Sequence, residues 1–193
     1  LAARKTQDYN AFKVYNLGFT TALTNDGSAV FSTHTLIGGG TQANNGTGAL
    51  NNDRLNTAMV NLATMKNQGG VIATDIPSVL LVPPALYAYA LQLTQSALVA
   101  DNANNAINVW RSTYGFIVKY SPWLSAAAGG SDTAWFLLSD NHSVTRIIRQ
   151  GIQTALTSWE YSVNRTYTYQ ANFREVVYVR DYSGIYGSTG TVA

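Results

Sequence analysis

Two histidines, ten acidic residues and twelve basic ones are the side chains with which this sequence could do chemistry, and it has no cysteine. His34 and His142 stand far apart. A Ser-His-Asp triad needs a nucleophile within reach of one of them, and no G-x-S-x-G elbow is present. A structural or surface role suits either histidine better. A metal site needs a cluster of His, Cys, Asp or Glu. The nearest approach is Asp140-Asn141-His142, which a turn explains. A paired-carboxylate mechanism would draw on Glu160 and Glu175, but both fall in β-patterned segments, where a solvated strand face is the simpler role. Gly38-Gly39-Gly40 is no phosphate cradle, because the lysine that such a loop requires does not follow until Lys66. No cofactor is implied, and no catalytic constellation emerges.

The remaining charged chemistry is a run of arginines: Arg146, Arg149, Arg165, Arg174 and Arg180. They could touch phosphates. More often such residues pair with carboxylates across subunits or line a solvated face. A net charge of +2 does not suggest a dedicated nucleic-acid binder. Asn45-Gly46-Thr47, Asn141-His142-Ser143 and Asn164-Arg165-Thr166 match the glycosylation sequon, a match common by chance in an Asn/Thr-rich chain. Charged residues make up only 11% of the sequence, against about 25% in an average domain. A free monomer keeps itself soluble with surface charge, so the deficit reads as surface that other copies cover. No apolar run reaches the roughly 20 residues of a membrane span. The chain starts at Leu1 inside a helical pattern, which reads as a processed or partial chain.

The elements that must position these residues centre on Ser78–Ser96. Val79–Val82 is a short aliphatic run that predicts a strand buried on both faces. Pro83 cannot continue a sheet ladder and Pro84 suits a first helical turn, so a helix with Leu86, Tyr89, Ala90 and Leu93 on its stripe follows. Ahead of it, Tyr9, Phe12, Tyr15 and Phe19 predict an amphipathic helix ending near residues 21–23. Residues 28–33 read as a short extended piece and 37–48 as a flexible loop. Asn51 or Asn52 caps a second helix with Leu55, Ala58, Met59, Leu62 and Met65 as its stripe, stopped by Gly69-Gly70. A short strand is expected at 71–73. Strands at 109–120 and 133–139 fit a hairpin, with the small-residue loop 125–132 as a long mobile tip. Val144–Arg149 follows, then β-pattern from 158 to 182, with Tyr161, Val163, Arg165, Tyr167 and Tyr169 on one face. Gly184, Gly187 and Gly190 close a loose tail. The whole predicts an α+β chain in which two flanks, divided from a middle segment near 37–50 and 150–155, pack together.

Several stretches in order carry a resemblance. They are Asn16-Leu17-Gly18-Phe19, then residues 26–32 (DGSAVFS) with His34, the Gly/Asn-rich loop, LLVPPAL, Ser121-Pro122, TAWFLLSD, R-E-V-V-Y-V-R and Gly-Ile-Tyr-Gly. From about Ala11 to Gly187 the chain resembles the major capsid proteins of tailed phages, in particular the Mu-like head subunit group, and its C-terminal larger part. Family members carry an N-terminal arm and an extended hairpin ahead of the spine helix, and this sequence shows neither.

The resemblance implies the tailed-phage capsid fold. Residues 1–50 and 151–193 would form a peripheral domain of spine helix and strands, and 51–150 an axial domain of a sheet flanked by helices. It implies a structural head protein, not an enzyme, in a virion assembled in the host bacterial cytoplasm. Its partners would be other copies in hexamers and pentamers, double-stranded DNA held on the inner face without sequence specificity, and optionally a decoration protein. Ser125, Gly129, Gly130 and Asp132 would then meet other subunits near a capsomer axis, and Arg165, Arg174 and Arg180 would pair with acids of neighbours. The alternatives are a bacterial nanocompartment shell, or from another class a small α/β enzyme or binding module with a pocket at the end of Val79–Val82.

Overall fold

The computed structural model describes residues 2–21, 24, 26–73, 75–98, 107–111, 115–157 and 168–191. The helix α1 spans Ala2–Leu17. It ends earlier than its aromatic spacing predicts, because Gly18 begins a turn against the ring of Phe31. Residues 28–32 are bends with a single bridge residue at Ala29, not a strand, and the loop read at 37–48 is largely ordered. It holds the hairpin β1 (Thr33–Thr35) and β2 (Thr41–Ala43), tipped by the triple glycine, and then β3 (Asn45–Gly46). The helix α2 runs Asn52–Thr64, with the Asn51 side chain accepting from the Arg54 N–H as N-cap. It stops at Met65, before the glycine pair, and residues 71–73 contribute only the isolated bridge Lys66–Ile72.

The strand β4 spans Pro77–Val82 and α3 spans Pro84–Gln95, with Pro83 as N-cap and Pro84 at the first turn. Residues 109–111 are helical, so the expected strand shrinks to β5, Ile117–Tyr120. Next come β6 (Trp135–Ser139), the long β7 (Val144–Thr157), β8 (Thr168–Val179) and β9 (Ile185–Ser188). The boundary expected at 150–155 falls inside β7, where bulges near Ile148–Gln153 absorb the irregular sequence.

Among the described residues the strands form three sheets: β1-β2, β7-β8, and a five-stranded sheet in the order β3-β9-β6-β4-β5. β5 and β6 are not a hairpin. They flank β4 on opposite sides, β5 parallel and β6 antiparallel. The tail is not loose, since β9 lies between β6 and β3 with all four residues buried. Gly187 fits there because the Phe31 ring lies where a Cβ would be, 2.7 Å away.

The sheet separates two cores. Leu80, Val82, Trp135, Leu137 and Tyr186 face α2 and α3. Leu81, Phe136, Leu138 and Ile185 face α1, Phe31 and Leu124. Alternation along each strand produces this sorting. Burial of β4 on both faces is why its sequence is a continuous aliphatic run.

Candidate functional site

The acid–base candidates come first. His34 in β1 is fully buried, its Nδ1 2.7 Å from Asp26 Oδ2 and its Nε2 3.3 Å from the Val30 carbonyl. Both ring nitrogens lie against oxygen atoms of the chain. Tyr182 stacks on the imidazole, with centroids 3.9 Å apart. Asp26 also accepts from the Thr24 hydroxyl and the Ser28 N–H. Among the described residues this is a polar staple tying the turn after α1 to β1 and to Tyr182 beyond β8. Buried Asn44 is a second staple, taking the Ser32 N–H and donating to the Val30 and Ile185 carbonyls. Sequence reading gave His34 a structural or surface role without its Asp26 partner, and it missed Asn44. The one signal was a His enclosed in an apolar run (V-F-S-T-H-T-L), and Asn44 was hidden in an Asn-rich stretch.

His142 follows the Asp140-Asn141 turn, and Asp140 accepts from the Ser78 hydroxyl. Among the described residues no group of three or more His, Cys, Asp or Glu could hold a metal ion. No described helix is long and apolar enough to cross a membrane. Glu160 lies outside the described residues, and Glu175 is not on a solvated face. Its side chain is 2% exposed and takes the Arg146 Nε and Nη2 at 2.9 and 2.7 Å.

The loop expected to be a mobile tip is packed. Residues Pro122–Leu124 and Ala126–Ala128 form two 3-10 turns. Leu124 is buried, the Asn16 side chain donates to the Trp123 carbonyl at 2.9 Å, and Tyr9 meets the Trp123 ring edge-on. The Ser125 hydroxyl donates to the Pro122 carbonyl, and the Asp132 carboxylate accepts the Ala126 N–H. Gly130 sits where a Cβ would come within 2.1 Å of the Leu124 carbonyl. Gly129, at φ 84°, is exposed. Ser125, Gly129, Gly130 and Asp132 are thus brought together on one rim against α1.

Arg165 lies outside the described residues, as do Tyr161, Val163 and Tyr167. Arg174 on β8 and Arg180 just after it are exposed, and neither has a carboxylate partner among the described residues. They belong to the β7–β8 ladder. On one of its faces Val144, Val177 and Val179 pack towards α1. On the other, Ile147, Val176 and Tyr178 are exposed cross-strand neighbours. Further out, Leu156 and Tyr169 are exposed as a directly opposed pair. An exposed apolar strip of this kind is a feature that protein–protein contacts share. A family model described as phage capsid protein matches residues 1–188. No curated protein matches the sequence.

Proposed function

This chain belongs to the phage capsid protein family, and we propose that it is the major head subunit of a Mu-like tailed phage. In this reading it assembles with its own copies into hexamers and pentamers of an icosahedral shell around double-stranded DNA, in the host cytoplasm, and catalyses nothing. The match over residues 1–188 carries the reading. The α+β fold, the low charge content and the exposed apolar strip of β7–β8 support it. The mechanism is geometric, with many modest interfaces repeated by symmetry closing a stable shell.

The peripheral part would be α1 with the β7–β8 ladder, and the axial part the five-stranded sheet with α2 and α3. By residue number this is 1–50 and 151–193 against 51–150, with the first half of β7 lying in the axial range and β3 and β9 reaching from the flanks into the axial sheet. The rim at Ser125, Gly129, Gly130 and Asp132 would meet neighbouring copies around a capsomer axis. Packaged DNA would be held without sequence specificity, and a decoration protein is an optional partner. Negative-stain microscopy of the purified protein, with assay of nuclease-protected nucleic acid, tests the reading. Closed particles with DNA support it, closed particles with protein cargo point to a nanocompartment, and a stable monomer overturns both.

A further inference from the structure

We propose that the groove between α1 and β8 receives the Arg174 guanidinium of a second copy, with Glu175 as its acceptor. This rests on the shell reading above. The groove holds about 360 Å³ and is lined by Asn10, Lys13, Val14 and Leu17 from α1 and by residues 175–177 of β8. Arg146 donates twice to Oε2 of Glu175, while Oε1 is buried with no hydrogen-bond partner. A carboxylate accepts about four hydrogen bonds. An unmatched buried acceptor costs the folded chain its desolvation and waits for a donor.

The donor that fits is planar, weakly hydrated and forked, which selects Arg over Lys. Arg174 is exposed and free of carboxylate partners among the described residues. It adjoins Glu175 on one strand, so the two side chains leave opposite faces of the ladder. Arg174 also stands beside the exposed Ile147 and Val176, which a neighbour would cover. A contact setting that face of one copy on the groove face of the next is head-to-tail. Such contacts close into rings where the rotation between copies closes.

The test compares full-length wild type with Glu175→Gln, Arg174→Gln and the double variant. The threshold concentration for particle formation is read by light scattering, and thermal unfolding is followed on unassembled subunits. Each single Gln variant is expected to raise the threshold roughly tenfold, as for loss of one charge-assisted hydrogen bond per interface. The double variant should be no worse than the poorer single one, the sign of a coupled pair. Arg174→Gln carries the test if Glu175→Gln fails to fold, because Arg174 is exposed. Normal assembly of either Gln single variant overturns the inference, as do losses that multiply in the double. A wild type that forms no particles sinks the shell reading itself, a failure distinct from these.

Discussion

The carboxylate of Asp26 lies 2.7 Å from Nδ1 of a fully buried His34. Burial alone would raise the Asp26 pKa. Hydrogen bonds from Thr24, His34 and the Ser28 N–H, with the charge of His34, outweigh it and hold the carboxyl at about 2. An unfolded Asp titrates near ~3.9. Because the folded value is the lower one, the stabilisation is complete above roughly pH 4 and is lost as pH falls towards about 2. Asp26→Asn is expected to cost about 2 kcal/mol near neutral pH and to flatten the acid limb of the stability curve. Thermal unfolding of unassembled subunits across that pH range measures both effects.

Asp75 should behave in the opposite sense. Burial raises its pKa and the nearby Asp181 charge raises it further, only partly offset by the facing Ser139 hydroxyl. The folded chain therefore holds a proton that the unfolded chain has already released, and stability falls as pH rises through that window. Asp75→Asn removes the buried charge while keeping the shape. Its melting temperature should exceed that of wild type near neutral pH, and the two should converge in acid. A lower melting temperature at neutral pH would count against the assignment.

Leu81 is buried on the α1 side of the sheet, while Leu80 beside it faces α2 and α3. Either truncation to Ala leaves a cavity in a different core. Each is expected to cost about 2–5 kcal/mol from lost transfer and cavity terms. Urea unfolding of the two variants checks this. Wild-type stability for Leu81→Ala would mean that β4 is not central.

The strand–proline–helix centre was legible because its residue types leave few choices. An aliphatic run must be covered on both sides, and Pro83-Pro84 must break a ladder and open a helix. The helix α2 was legible from its cap and stripe. β9 was not, because two of its four residues are Gly187 and Ser188, whose smallness reads as a loop until Phe31 is seen to need the space. The partners of β5 and β6 were also hidden. Both strands pair with β4 rather than with each other, a long-range choice that local turn signals do not encode. The interface candidates divided in the same way. The loop 125–132 looked mobile from its small residues, yet it is packed, and Gly130 must be small because the chain folds tightly on the Leu124 carbonyl. The acceptor that Arg174 is proposed to meet lay one residue away, concealed by the ordinary role of a strand glutamate.

The exposed strip on β7–β8 gives a last expected outcome that separates folding from assembly. Ile147 and Val176 are directly opposed and are 48% and 54% exposed. Replacing both with Thr keeps the β-branched shape that suits a strand and removes only apolar surface. Since that surface is not in either core of the subunit, the free chain should lose no more than about 0.5 kcal/mol per site. Between copies the same surface would be buried, at roughly 25 cal/mol per Å², and the loss would recur at every copy of the contact. Particle yield should therefore fall several-fold while the melting temperature of unassembled subunits barely moves. Equal loss of both would show that the strip supports the fold. Unchanged yield would show that this face of the ladder looks into solvent in the shell, and that the subunits meet through other surfaces.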